Sequence, residues 1–111
     1  MERAGGFGLR GFLTVGKRSY LVVDARSSDS EAMGRYRQLA QIAVEKFGGR
    51  YLIRGGVVEV LEGKWQPERL VVVEFDSSEK ARAFYDSPEY HEAREARRGV
   101  SDFQMLLVEG Y

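Results

Sequence analysis

Arg69-Leu70-Val71-Val72-Val73-Glu74-Phe75, followed at once by Asp76-Ser77-Ser78-Glu79, decides how the chain is read. The first part is a short apolar run rich in β-branched residues, which predicts a strand rather than a helix. The second part has the form of a capping box. A side-chain oxygen there can accept from the free N–H groups that open a helix, and a glutamate follows at the reciprocal position. The stretch is therefore one strand running into one helix. The same unit stands upstream. Tyr20-Leu21-Val22-Val23, inside residues 19–26, reads as a strand, and Ser27-Ser28-Asp29-Ser30 supplies helix-start oxygens. A helix to about residue 47 follows, because Ala32, Tyr36, Leu39, Ala40, Ala43 and Phe47 recur at three- and four-residue steps. Arg37, Gln38, Gln41 and Glu45 fall on its other side, and Gly48-Gly49 stops it.

Between the two units, residues 50–53 and 57–61 read as one long strand broken at Gly55-Gly56, since glycine inside a strand marks a bulge or bend. Residues 62–68, with Gly63 and Pro67, read as a turn. The second helix is interrupted at Ser87-Pro88, where Ser87 can cap and Pro88 suits a first helical position. It resumes through Tyr90, Ala93 and Arg97 and ends at Gly99, and residues 103–109 form the last strand. The order β-α-β-β-α-β is that of an α+β, ferredoxin-like unit. Right-handed crossovers place the last strand beside the first, then the third, then the second, all antiparallel, with both helices on one face.

Strand alternation then separates the two faces of the sheet. Leu21, Val23 and Ala25, with Val71, Val73 and Phe75, belong under the helices. The other face carries Tyr20, Val22, Asp24 and Arg26, Leu70, Val72, Glu74 and Asp76, joined by Leu106 and Val108. A solvated face is normally more polar. Sheet-to-sheet pairing with a second copy of the chain is the simplest account of this one.

Composition narrows the function classes. The 111 residues suit one domain, and 43% hydrophobic residues can fill its core. No cysteine is present, which excludes disulfides, thiolate metal sites and cysteine nucleophiles. The 17 basic and 17 acidic residues cancel, so the surplus expected of a nucleic-acid binder is missing. No apolar run approaches the roughly 20 residues that span a bilayer. These features suit a cytoplasmic protein with no membrane or nucleic-acid partner. Residues 1–18 differ from the rest. They hold Gly5, Gly6, Gly8, Gly11 and Gly16 with Arg3, Arg10, Lys17 and Arg18, and they read as a glycine-rich extension to a domain at 19–111. Their apolar pieces are too short for a secretory segment.

From about Ser19 onward the chain resembles the bacterial domain of unknown function 1330 family, within the dimeric α+β barrel superfamily. The resemblance rests on Gly48-Gly49-Arg50-Tyr51, Arg54-Gly55-Gly56, residues 58–65 (VEVLEGKW), residues 69–75 (RLVVVEF) and residues 85–90 (YDSPEY). It implies a barrel dimer and no particular activity. Relatives in the superfamily include cofactor-poor monooxygenases, haem-degrading enzymes and lactone isomerases, and a shared fold does not choose among them.

The candidate site residues come from three sets. Asp24 and Glu74 are carboxylates on the non-helix face of adjacent strands, with Arg54, Arg26 and Tyr20 as possible partners. They read as an interfacial ion-pair network or as a general acid or base. His91 is the single histidine. It reads as a solvated surface residue, with an acid–base or haem-ligand role as the sharper alternative. One histidine cannot make a usual zinc site. Tyr36, Tyr51, Tyr85 and Tyr90 need partners if buried. Tyr36, Arg54 and Tyr90 are the expected wall of a small-molecule pocket between helices and sheet, closed by Arg54 or Arg69. Arg54-Gly55-Gly56 is a single copy inside a strand, so a bend explains it better than an RNA-binding tract. Gly5-Gly6-Phe7-Gly8 lacks the Lys-Ser/Thr pair of a phosphate loop. The leading expectation is a homodimeric small-molecule-binding domain, with Tyr/Arg/carboxylate groups suited to cofactor-free acid–base catalysis. No metal or cofactor is expected in it. The alternatives are a non-catalytic dimeric module for binding or regulation and, more weakly, a haem-binding oxygenase that depends on His91.

Overall fold

A computed structural model describes residues 17–111. The elements are β1 (Ser19–Arg26), α1 (Ser30–Lys46), β2 (Arg50–Arg54), β3 (Leu70–Phe75), α2 (Ser78–Tyr85), α3 (Pro88–Ala96) and β4 (Asp102–Glu109). The strands form one sheet in the order β2-β3-β1-β4, with every neighbour antiparallel. This is the ferredoxin-like α+β order expected from the sequence, with the second helix divided into α2 and α3. Residues 1–16, which carry nearly all of the glycine-rich extension, lie outside the described residues. Among the described residues, no helix is long and apolar enough to cross a membrane.

Local chemistry sets the element ends. The Asp29 carboxylate accepts from the Ala32 N–H at 3.0 Å and opens α1. Gly48 takes a φ of 74°, a left-handed conformation that strains other residues, and turns the chain out of α1. Gly49 follows where the backbone passes so close to the sheet layer that an added Cβ would lie 2.8 Å from the Phe75 ring. Ser77 opens α2 by accepting from the Lys80 N–H at 3.1 Å, and Ser87 opens α3 by accepting from the Tyr90 N–H at 3.1 Å.

The core fills the helix face of the sheet. Leu21, Val23, Ala25, Val73 and Phe75 from the strands meet Met33, Tyr36, Ala40, Ala43 and Val44 of α1 and Ala81, Phe84, Tyr90 and Ala93 of α2 and α3. The apolar stripe of α1 is turned slightly from the one its spacing suggests. Met33 and Val44 are buried, whereas Leu39 and Phe47 pack only in part.

One expected strand is absent. Residues 57–61 do not pair, and residues 55–68 leave the sheet without regular structure. The last ladder contact is the Gly55 N–H donating to the Leu70 carbonyl at 2.9 Å, after which Gly55, at φ 77°, redirects the chain. Among the described residues no strand lies beyond it to receive Val57 or Leu61, which remain 103% and 87% exposed. The bulge itself sits earlier than the glycines, between Tyr51 and Ile53.

Candidate functional site

That bulge decides the site. Without it Arg50, Leu52 and Arg54 would share one side of β2. The extra residue reverses the alternation, so Ile53 pairs with Val72 on the open face and Arg54 pairs with Val71 on the helix face. Arg54 therefore stands at the mouth of a cavity of about 50 Å³ between α1 and the sheet. Leu21, Val23, Ala40, Val44, Val71 and Met105 form apolar walls, and Arg37, Arg54 and Arg69 stand among its lining groups. Arg37 follows Tyr36 on α1, and Arg69 directly precedes β3. The Arg69 guanidinium occupies the space beside Gly55, where an added Cβ would lie 2.1 Å from Nη1. The Arg54 guanidinium rests on the Tyr51 ring at 4.1 Å, and its Nη1 donates to Gln41 Oε1 at 3.0 Å.

Among the described residues none of these three arginines forms a salt bridge. Burial, and then the neighbouring Arg37 and Arg54 charges, hold the Arg69 guanidinium below its ordinary pKa. Burial pushes the Tyr51 phenol up. Three cations at one opening repel one another, and an anion bound among them would relieve that repulsion.

Tyr36 also lines the cavity. Its hydroxyl lies 2.6 Å from that of Tyr90, whose side chain is fully buried behind it. The Tyr36 ring meets Phe103 edge-on at 5.3 Å, and the Arg97 guanidinium covers Phe103 at 3.6 Å. Burial, reinforced by Tyr90, drives the Tyr36 phenol far above its ordinary pKa, so it stays protonated at neutral pH. The Tyr90 N–H is taken by Ser87, and the Ser87 hydroxyl donates to the Phe84 carbonyl at 2.7 Å. Tyr90 thus reaches the cavity through Tyr36 and not through an open helix end.

Asp24, Glu74 and His91 lie elsewhere. The open face is built of registered rows. Ile53, Val72, Val22 and Leu106 form an unbroken apolar row across all four strands. On one side of it lies the row Arg50, Glu74, Tyr20 and Val108. Glu74 accepts from Arg50 Nη2 at 2.8 Å and from the Tyr20 hydroxyl at 3.1 Å. The Arg50 hydrogen bonds hold its carboxyl below the usual carboxylate range, and the same contact with Glu74 raises the Tyr20 phenol. On the other side Asp24 Oδ2 accepts from Trp65 Nε1 at 3.0 Å, while Asp24 Oδ1 is buried with no hydrogen bond among the described residues. Of the expected partners, Tyr20 pairs with Glu74, Arg26 donates to the Gln66 carbonyl, and Arg54 meets neither carboxylate because the bulge turns it away. His91 is 68% exposed on α3, 4.0 Å from Glu95, and does not line the cavity. Among the described residues no three His, Asp or Glu side chains gather as a metal site.

Arg37 and Trp65 were not among the expected site residues. Arg37 looks solvent-facing by helical spacing, but it borders the apolar stripe next to Tyr36, and a long side chain there can curl over the stripe's edge. Trp65 lies in the segment read as a turn, and nothing in its spacing links it to Asp24.

The model of the family described as Domain of unknown function (DUF1330) matches residues 18–111. No curated protein matches the chain. Among solved structures, a protein of unknown function from Rhodopseudomonas palustris superposes with a TM-score of 0.71 at 16% identity, covering 86% of this chain and 84% of that one. A dimeric protein of unknown function with a ferredoxin-like fold, from Bacteroides fragilis, gives 0.58 at 13% identity, covering 84% and 96%. SnoaB, a cofactor-independent oxygenase from Streptomyces nogalater, gives 0.51 at 12% identity, covering 86% and 94%. At these identities the likeness is one of fold.

Proposed function

We propose that this chain, which belongs to the DUF1330 family over residues 18–111, is a homodimer that pairs through its open sheet face and binds a small organic molecule in the cavity beneath α1. The observation that carries the reading is an apolar cavity bordered by three arginines, none with a carboxylate partner among the described residues. The dimer is supported by the apolar row Ile53, Val72, Val22 and Leu106, by the exposed Val57, Leu61 and Trp65 beside it in sequence, and by the dimeric Bacteroides protein of the same fold.

Tyr36 favours chemistry as well as binding. It is a protonated phenol on the cavity wall, backed by the Tyr90 hydroxyl, so it can donate a hydrogen bond to a bound molecule or to charge developing on it. The SnoaB fold likeness shows that this scaffold accommodates cofactor-free oxygenation in another protein. Asp24 and Glu74 belong to the pairing face in this reading, and His91 to the surface.

A cavity-filling variant tests the proposal. Ala40→Val adds two methyl groups to the wall. In saturation-transfer NMR against a set of small aliphatic and aromatic acids, alcohols and amides, the wild type is expected to give binders that the variant loses. The particle mass is expected to stay the same. Identical binding profiles for the two proteins would place the ligand elsewhere.

A further inference from the structure

We propose that the ligand is a short aliphatic carboxylate, held by Arg37, Arg54 and Arg69 with its hydrocarbon tail in the cavity. This names the ligand class of the site proposed above and rests on that reading.

The charge pattern supplies the first observation. Elsewhere several of the chain's cations are paired with acids. Arg50 meets Glu74 and Asp76, Lys46 meets Glu89, Arg98 meets Glu95, and Arg18 meets Glu74. Arg94 and Arg97 lie over aromatic rings. Arg37, Arg54 and Arg69 converge on one opening without an acid. The α1 carboxylate Glu45 is engaged by Gln41 Nε2 at 3.2 Å, and Gln41 in turn accepts from Arg54. Gln41 thus stands between the acid and the arginine. Guanidinium groups present planar forks of N–H donors that match a carboxylate edge to edge.

The wall gives the second observation. Beyond the arginines and tyrosines it consists of Leu, Val, Ala, Met and Phe side chains. Apart from the Tyr36 and Tyr51 hydroxyls, a hydroxylated or amino-substituted tail would meet no polar partner along that wall. A hydrocarbon tail would not.

Size gives the third. A water position needs about 10–15 Å³ of such volume, so a cavity of about 50 Å³ takes roughly four tail atoms. A drug-sized molecule needs a pocket of about 300 Å³ or more. The tail is therefore a few carbons long, and the carboxylate remains at the arginine-lined opening.

Calorimetric titration of the full chain at low salt with acetate, butyrate, octanoate, 1-butanol and butyl phosphate tests the inference. Butyrate is expected to bind most tightly, at least about tenfold better than 1-butanol, a difference that reports the charge contact. Arg54→Gln and Arg69→Gln are each expected to weaken butyrate about tenfold and leave 1-butanol unchanged. Arg54→Lys is expected to recover part of the loss, since it restores charge without the fork. Because these side chains sit at the mouth, the particle mass and melting temperature should hold. If 1-butanol equals butyrate and the glutamine variants bind normally, the carboxylate assignment fails and the cavity reading survives. Preference for octanoate or butyl phosphate also overturns the assignment. If none of the five binds while cavity-dependent fragment signals persist, the carboxylate is wrong. If those signals are also absent, the cavity reading itself falls.

Discussion

Val72→Asp is expected to leave a monomer. Val72 stands at the centre of the open face, flanked by Ile53 on β2 and Val22 on β1 in the same row. Closing two such faces on each other would bury two aspartates among apolar side chains with no cation in the row. An unpaired buried charge costs several kcal/mol, and each 1.4 kcal/mol is a factor of ten in the dissociation constant. A loss of about a thousandfold or more in dimer affinity follows. The fold should persist, because the face is open to water in the single chain and the core lies on the other side of the sheet. Light scattering would then report the 12.6 kDa of one chain for the variant and twice that for the wild type. Glu74→Lys, at the flank of the row, is expected to weaken the dimer more than Glu45→Lys on α1. A Val72→Asp protein that keeps the two-chain mass would show that the partner surface is not this face.

Tyr90→Ala is expected to cost about 3–5 kcal/mol of stability in urea unfolding, the usual range for truncating a buried aromatic side chain. Domains of this kind have about 5–15 kcal/mol in all. Tyr90 is fully buried, with its ring 4.4 Å from Phe84 and its hydroxyl 2.6 Å from that of Tyr36. The subtler variants separate packing from hydrogen bonding. Tyr90→Phe keeps the ring but leaves the Tyr36 hydroxyl buried without its partner, which costs about 1–3 kcal/mol. Removing both hydroxyls in Tyr36→Phe/Tyr90→Phe leaves no stranded group, so the double variant should be more stable than the sum of the singles predicts. Strictly additive losses would mean that the two hydroxyls do not depend on each other.

The sequence made some of this legible and hid the rest for identifiable reasons. Alternation in Val71, Val72 and Val73 assigned the two faces of β3, because the pleat has a period of two and no tertiary knowledge is needed. The Ser and Asp caps placed the helix starts for a similar local reason. Arg54 was another matter. Its side of β2 depends on a bulge between Tyr51 and Ile53, two residues ahead of the glycines that advertise a bend. A single extra residue moves a side chain from one face to the other. Residues 57–61 carry a strand-like pattern, but pattern alone cannot supply a neighbouring strand, and none is present among the described residues. The meeting of Tyr36 with Tyr90 spans 54 positions, and the pairing of Asp24 with Trp65 spans 41. Both depend on how helices and loops dock, which residue spacing does not encode. Arg37 was hidden by its length, since a side chain assigned to water by its Cα can still reach the cavity.

The central claim is that the two faces of one sheet do separate jobs: the helix face holds the ligand and the open face holds the second copy. A methyl chemical-shift map of the protein, with and without the tightest-binding small molecule of the fragment set, tests it most directly. The account predicts shifts at Val23, Met33, Val71 and Met105, around the cavity, and none at Val22, Val72 or Leu106. Shifts concentrated on Val22, Val72 and Leu106 would contradict it.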